Sequence, residues 1–213
     1  LPEGASRDFG QFLAGPVLDD LAKSPPERMP ELAREVAASG VYFVPTLGAF
    51  EQIAEMGRPV DSMRSSEADA NYVAEWIIAD WRNRRNDLEK AGFTLDDSDR
   101  MSAIRRRIVA AFKQAGVPMM AGSDTPHPFH VWGFGLVRET EILSEAGMGP
   151  MAALRAATVV PRDYLRSLPN QGSALGWKAD FGTVEPGARA DLLLLDADPS
   201  SDLGALRQIR AVV

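Results

Sequence analysis

Two stretches of the chain share one pattern of apolar and polar positions. In each stretch apolar residues recur at helical spacing, a glycine follows, and a short apolar run then leads into Pro, Thr, Ser or Asp. This pattern predicts an amphipathic helix with a glycine cap, followed by a compact strand. The two helices are predicted from Met29 to Gly40 and from Met101 to Gly116, and the two strands from Val41 to Leu47 and from Val117 to Asp124.

Helices that alternate with strands in this way predict a parallel α/β sheet. The apolar runs are uninterrupted, which is typical of strands that are buried on both faces. The carboxyl ends of parallel strands face the active site in such folds, so Asp124, Thr125 and His127 lie where chemistry is expected. The pattern leaves an alternative open, in which Asp124 caps a turn and the chain's two histidines, His127 and His130, lie on the surface.

A third amphipathic pattern lies between these stretches, from Ser65 to Ala91. Its apolar and aromatic residues recur at helical spacing, with Arg and Glu on the opposite face. We predict an inserted helical hairpin whose second helix begins near Asp99. We favour core packing for its tryptophans, because aromatic side chains bury much area, and the alternative is a lid over a substrate pocket. The apolar face consists of Tyr72, Val73, Trp76, Ile77, Trp81 and Leu88.

Beyond Asp124 the sequence predicts a loop and two helices. The loop runs from Thr125 to Phe134, and a helix follows from Gly135 to Ala146. A second helix begins with Pro150, because proline suits the first turn of a helix. We expect the charged side chains of the first of these helices to be solvated, and they are Arg138, Glu139 and Glu141.

From Gly182 onwards the pattern changes to that of a small β domain. The residues from Gly182 to Gly187 predict a tight turn. An apolar run from Ala190 to Asp196 and a second run from Ile209 to Val213 predict two strands.

Composition and net charge limit the class of protein and the kinds of partner that we expect for this chain. The chain has 213 residues, of which 45% are hydrophobic and 25% charged, as in ordinary globular proteins. Its formal net charge of -7 argues against nucleic acids and anionic membranes as partners, and no apolar run approaches the roughly 18 residues of a membrane helix. The absence of cysteine excludes disulfides, thiolate metal sites and a cysteine nucleophile.

The compartment stays unknown: the cytoplasm is favoured, and a removed signal peptide remains an open alternative because the sequence begins with Leu1 rather than Met.

Common catalytic and nucleotide-binding motifs are absent from the sequence. It contains no phosphate-binding loop of the Gly-x-x-x-x-Gly-Lys-Ser/Thr type, no Gly-x-Ser-x-Gly elbow and no His-Glu-x-x-His helix. The Gly-Phe-Gly run from Gly133 to Gly135 follows a loop rather than a strand, which argues against a dinucleotide fingerprint. The candidate catalytic residues are therefore Asp124 and those that follow it, at the end of the second predicted strand.

Four motifs in the second half of the chain occur in an order that resembles the amidohydrolase superfamily. They are Val117–Pro126, Gly133–Gly147, Pro150–Thr158 and Gly182–Asp196. The resemblance is greatest to the imidazolonepropionase-like and prolidase-like members, which hydrolyse amide bonds in small cyclic or dipeptide-like substrates. It covers Val41 to Leu47 and nearly everything from Ala111 to Val213, whereas the segment from about Glu51 to Arg100 carries no family signal.

This resemblance implies an α/β fold that is the C-terminal part of a (β/α)8 TIM-type barrel. Residues 1–180 would supply the last two barrel strands and their helices, with a helical insertion at about 51–100. Residues 181–213 would form part of a small β-sandwich domain.

The resemblance also implies a metal-dependent hydrolase that cleaves C–N bonds in amides, cyclic amides or dipeptides through a metal-activated water. Asp124 takes the place of the family residue that is both a metal ligand and the proton shuttle. Thr125, His127 and Trp132 follow it and are the candidate substrate-binding residues. The implied cofactor is a divalent metal, expected to be one or two zinc ions, and the implied partner is a small-molecule substrate.

Most of the metal ligands of the family are not part of this sequence. The family uses a His-x-His pair on the first strand, a Lys or Glu on the fourth strand and single histidines on the fifth and sixth strands. A catalytic zinc ordinarily needs about three protein ligands, so we expect the complete protein to be an enzyme and these residues alone to be inactive.

Two isolated barrel strands would leave unpaired sheet edges. We therefore expect an upstream part of the same polypeptide, or a homo-oligomer, to complete the barrel. The alternative is a non-catalytic fragment or subunit that needs an upstream half or a partner chain.

Overall fold

The computed structural model describes residues 27–55, 71–90, 94–125, 129–169 and 178–213, together with Lys23, Pro25 and His127. These residues are mainly helical and include a small two-stranded sheet. The helices are α1 (Arg28–Ser39), α2 (Leu47–Glu55), α3 (Glu75–Lys90), α4 (Leu95–Ala115), α5 (Phe134–Leu143), α6 (Pro150–Ala157) and α7 (Val159–Ser167). A π-helical turn (Ser144–Met148) extends α5, a 3-10 helix spans Leu203–Arg207, and the strands are β1 (Leu193–Leu195) and β2 (Ile209–Val212).

Helices α1 and α4 confirm the two predicted helices with glycine caps. Gly40 ends α1 with a φ of 70°, and Gly116 ends α4 with a φ of 79°, a conformation in which glycine carries no steric cost. The two helices pack against each other, with Ala33 of α1 in the core between them.

Helix α4 begins at Leu95, so the predicted start near Asp99 is too late. A capping box sets this start. The Thr94 hydroxyl accepts a hydrogen bond from the N–H of Asp97 at 3.2 Å, and the Asp97 carboxylate accepts one from the N–H of Thr94 at 3.0 Å.

The two predicted strands are extended segments joined by a single parallel bridge between Phe43 and Met119. The N–H of Phe43 donates to the carbonyl of Pro118 at 3.0 Å, and the N–H of Met120 donates to the carbonyl of Phe43 at 2.9 Å. Their parallel arrangement agrees with the prediction, whereas the prediction of full strands from Val41 to Leu47 and from Val117 to Asp124 is wrong. A regular strand needs a longer run of paired residues than these two segments share.

Burial on both faces is also wrong for the first segment. Val41 is 49% exposed and Val44 is 41% exposed, although the apolar run predicts that both are covered. In the part of the chain that the structure describes, this segment pairs only with the segment around Met119, and the contact of Val44 with Gly122 leaves much of the valine exposed.

The main core lies between α1, α2, α4, α5, α6 and the 3-10 helix. Apolar side chains from all of these helices meet there, which is how amphipathic helices bury their apolar faces. Its buried members include Ala33, Leu47, Val109, Phe112, Met119, Ile142, Leu143, Ala153, Ala156 and Leu203.

The predicted helical insertion contains α3, which covers the loop in front of α5. Residues 56–70 and 91–93 of this insertion lie outside the described residues. A second apolar cluster joins α3 to the loop, and the rings of Trp81 and Phe129 are 5.1 Å apart at their centroids within it. Trp81 is 3% exposed, as core packing predicts, whereas Trp76 is 74% exposed and the favoured interpretation is wrong for it.

The predicted helices and strands of the second half are largely confirmed. Helix α5 begins at Phe134, and its helical path continues to Ala146, because Gly147 in the π-helical turn has a non-helical φ of 105°. Helix α6 has Pro150 in its first turn. Strands β1 and β2 pair antiparallel, with Leu193 opposite Val212, and fall inside the two predicted strands. No helix among the described residues combines the length and apolar character needed to cross a membrane.

The two tryptophans of α3 provide a matched pair for testing its packing. Replacing buried Trp81 with Ala should lower the free energy of unfolding by about 3–5 kcal/mol, because a large ring leaves a cavity. Replacing exposed Trp76 with Ala should change it by no more than about 0.5 kcal/mol. Urea unfolding of both variants measures the difference, and equal losses would contradict the packing of α3 described here.

Candidate functional site

The candidate site lies where the two parallel extended segments end. Segment 41–45 leads to Thr46 and segment 117–123 leads to Asp124, so both residues lie at the same end of the paired segments. Both have a left-handed backbone, with a φ of 48° at Thr46 and 53° at Asp124. Residues other than glycine rarely adopt this conformation, and where they do, surrounding contacts must hold it, as is common at functional sites.

Asp124 is exposed, and its neighbours are held in place. The N–H of Ala121 donates to the carbonyl of Ala156 in α6 at 2.9 Å, which anchors the segment in front of Asp124. The hydroxyls of Ser123 and Thr125, the residues on either side of Asp124, are 3.1 Å apart and share a hydrogen bond. The carboxylate therefore stands on a fixed backbone and remains accessible to a ligand.

His127 is half-buried and interacts electrostatically with Asp124. The N–H of His130 donates to the carbonyl of His127 at 2.8 Å. The Nδ1 atom of His127 is buried and has no hydrogen-bond partner among the described residues. Burial lowers the pKa of His127, Arg84 lowers it further, and the Asp124 carboxylate opposes both effects. The imidazole is therefore neutral at pH 7.

His130 is 2% exposed, so the alternative in which both histidines lie on the surface is wrong for this residue. Its ring lies between two glycines: a Cβ on Gly48 would be 2.6 Å from Cε1, and a Cβ on Gly135 would be 2.8 Å from Nε2. Burial lowers the pKa of His130 to about 4, helped by His127 and Arg138. The Nε2 atom is buried and has no hydrogen-bond partner in the described part of the chain.

Glu139 is 0% exposed, so the prediction that it is a solvated helix charge is wrong. Its Oε1 accepts a hydrogen bond from the N–H of Leu47 at 3.1 Å, and its Oε2 accepts one from the N–H of Gly48 at 2.6 Å. Burial raises the pKa of Glu139 to about 7, against the effect of these two hydrogen bonds. One feature of the sequence indicates this burial. Glu139 lies four residues after Gly135 and three before Ile142, so it shares the face of α5 that packs into the core.

The other two charged residues of α5 are neither fully solvated nor buried. Arg138 lies 3.3 Å from the Glu51 carboxylate and 3.4 Å from that of Glu141. Glu141 also pairs with Arg207 at 3.4 Å. These ion pairs join α5 to α2 and to the 3-10 helix, so the prediction of solvated charges holds only in part.

The four residues predicted for the site fall into two groups. Asp124, Thr125 and His127 lie together at the end of the second extended segment. Trp132 lies in the turn that leads into α5, and it is 47% exposed. It borders the same loop and leaves much of its ring open to a ligand.

The described residues do not form a complete metal site. No group of three or more His, Asp or Glu side chains among them converges in a way that could hold an ion. Asp124 offers one accessible carboxylate, whereas the ring of His130 is enclosed by Gly48 and Gly135. Asp124 could supply one metal ligand. A catalytic zinc ordinarily needs about three protein ligands, and the described residues do not bring the others to Asp124.

Comparison of the sequence with protein-family models and with curated proteins found no match. The family resemblance therefore rests on the sequence motifs themselves. A function for the chain has to be argued from the geometry at Asp124.

The shifted pKa values of His130 and Glu139 affect stability in opposite directions. The folded protein keeps His130 neutral down to about pH 4, so this group destabilises the fold as pH falls from 6.5 to about 4. The folded protein keeps Glu139 protonated up to about pH 7, so this group stabilises the fold as pH falls from 7 to about 4.5.

The Glu139→Gln variant should therefore lose stability more steeply on acidification than the unmodified protein. The contribution of His130 alone is on the order of 3 kcal/mol between pH 6.5 and pH 4. Glu141→Gln is the matched control, because Glu141 lies on the same helix and pairs with Arg138 outside the site. Urea unfolding at several pH values gives the profiles, and identical profiles for the two variants would show that the pKa of Glu139 is not raised.

Proposed function

We propose that this chain is the C-terminal part of a metal-dependent hydrolase of the amidohydrolase type, which cleaves C–N bonds in amides, cyclic amides or dipeptides. One observation carries the proposal. The exposed carboxylate of Asp124 stands on a left-handed backbone at the end of an extended segment that runs parallel to a second one. In parallel α/β proteins, and in TIM barrels above all, catalytic residues occupy this end of the strands.

Asp124 has the access and the chemistry for two tasks. A bound zinc ion would lower the pKa of a water molecule towards neutrality. The Asp124 carboxylate would hold one ligand position, accept a proton from the attacking water and pass it to the leaving nitrogen. The hydrogen bond between its neighbours Ser123 and Thr125 would limit backbone movement while the carboxylate exchanged protons.

The substrate would lie against the loop that follows Asp124. His127 is neutral at pH 7 and can either donate or accept a hydrogen bond to a substrate amide. Thr125 adds a hydroxyl, and Trp132 offers an exposed ring for an apolar substrate group. These are the substrate-binding residues of the proposal.

In the same proposal the extended segments are the last two strands of a (β/α)8 barrel, and residues 181–213 belong to a β-sandwich domain. The parallel bridge between Phe43 and Met119, with helices α2 to α4 in the connection, is what neighbouring barrel strands require. The antiparallel pairing of β1 with β2 is what a return into a β-sandwich requires.

A second candidate is a non-catalytic subunit that docks onto an upstream half or onto a partner chain. The partial exposure of two apolar residues in segment 41–45, Val41 and Val44, favours it. A strand paired with the edge of this segment that faces away from Met119 would add backbone hydrogen bonds that the described residues do not supply. The two candidates share this surface and differ in whether Asp124 takes part in catalysis.

Replacing Asp124 with Asn should lower hydrolysis by about 10²–10⁴-fold, because the amide keeps the shape of the side chain and cannot shuttle a proton. The assay follows amine or ammonia release from a panel of dipeptides, N-acyl amino acids and cyclic amides, with the protein purified from its natural source or with any partner that co-purifies. Asp99→Asn is the matched control, because Asp99 is an exposed residue in the first turns of α4. Equal rates for D124N and the control protein would exclude the catalytic role.

Metal content and intact mass should be measured together on the purified protein. We expect about one to two zinc ions per assembly, together with a mass above 23.1 kDa or a stoichiometric partner chain. Removal of the metal with a chelator should abolish hydrolysis, and added zinc should restore it. A metal-free complex with a partner chain would favour the non-catalytic subunit.

A further inference from the structure

We infer that Glu139 and His130 are positioning residues, which hold the ends of the two extended segments against each other and thereby orient Asp124. The inference deepens the proposed function and rests on it only for the task of Asp124. Both side chains are almost entirely buried, so neither can reach a substrate directly. Their contacts run instead to the backbone on each side of the site.

Glu139 fixes the end of the first segment. The first N–H groups of a helix have no partner within the helix, and at α2 the N–H groups of Leu47 and Gly48 donate to the two oxygens of one carboxylate. Leu47 directly follows Thr46, whose backbone is left-handed. The position at which the first segment turns into α2 is therefore set by a side chain from α5.

His130 fixes the end of the second segment. Its imidazole faces the backbone carbonyl of Ser123, the residue before Asp124, and this carbonyl raises the pKa of the ring against the effect of burial. Nε2 has no partner in the described part of the chain, so we expect Nδ1 to be the nitrogen that faces this carbonyl. The ring cannot tilt away, since Gly48 approaches one part of it and Gly135 another.

The two contacts meet at Gly48. A Cβ placed on Gly48 would lie 3.1 Å from Nε2 of His130 and 3.3 Å from Oε2 of Glu139, so its backbone touches both groups. A displacement of α2 would therefore move the imidazole, and with it the carbonyl of Ser123. A side chain that only capped helix α2 would not couple the position of α2 to that of Ser123.

The test compares Glu139→Gln with the control Glu141→Gln by NMR on the same preparation that is assayed for hydrolysis. In Glu139→Gln the amide protons of Leu47 and Gly48 should exchange at least about tenfold faster, because an amide side chain accepts only one of their two hydrogen bonds. The carboxyl ¹³C resonance of Asp124 should move as well, and neither change should occur in Glu141→Gln.

His130 is tested with two replacements. His130→Leu removes the donor to Ser123 and should move the Asp124 carboxyl resonance, whereas His130→Asn keeps a donor near the position of Nδ1 and should restore it. An Asp124 resonance that is the same in Glu139→Gln, His130→Leu and the unmodified protein would overturn the inference, because Glu139 would then be a helix cap only.

The unmodified protein offers a measurement that does not depend on how the variants fold. Long-range ¹H–¹⁵N spectra should show His130 as the neutral tautomer with its proton on Nδ1. A proton on Nε2 would overturn the inference. The proposed function fails separately, through normal hydrolysis by D124N, so the two failures can be told apart.

Discussion

A carboxyl group with no exposed surface is stable only where hydrogen-bond partners replace its hydration, and Glu139 finds two donors at the N-terminus of α2. The partial positive charge of a helix N-terminus adds to the attraction. The rest of the site follows from this interaction. Helix α2 has to begin at Leu47, so the preceding segment has to turn at Thr46, and the main core forms around the face of α5 that carries Glu139. The two glycines that enclose His130 belong to the same arrangement, because any side chain at Gly48 or Gly135 would overlap the imidazole.

The sequence predicts the parts of this fold that depend on local interactions. Glycine caps, proline in a first helical turn and amphipathic spacing act over a few residues, and α1, α4, α6 and the hairpin of β1 and β2 all agree with them. The two predicted strands are wrong because a strand depends on its neighbours. An apolar run such as Val41 to Leu47 has the composition of a buried strand, yet its pairing with the segment around Met119 comprises one bridge, and Val41 and Val44 remain partly exposed.

The candidate site shows the same division between local and distant effects. Asp124, Thr125 and His127 could be predicted because the end of an apolar run before a loop is a local feature. Glu139 and His130 could not, because the partners that explain their burial are far away in the sequence. Gly48, which contacts both groups, lies 91 residues before Glu139. A Glu between Arg138 and Thr140 has the pattern of a solvated helix charge, and only the packing of α5 against α2 makes it a buried one.

Shifted pKa values are often used to find catalytic residues, and under the proposed function they would select the wrong ones here. The largest shifts among the acids and histidines belong to His130 and Glu139, which are enclosed by glycines and backbone and have no path to a substrate. Their shifts record the cost of burial. Asp124 and His127 differ from them in access, since Asp124 is exposed and His127 is only half-buried. In the proposed site the buried residues would fix the backbone, and the accessible residues would meet the substrate. Such an arrangement would keep a reactive carboxylate oriented while its protonation changes. In the proposed site it is accessibility, and not the size of a pKa shift, that separates the residues assigned to the reaction from those assigned to positioning.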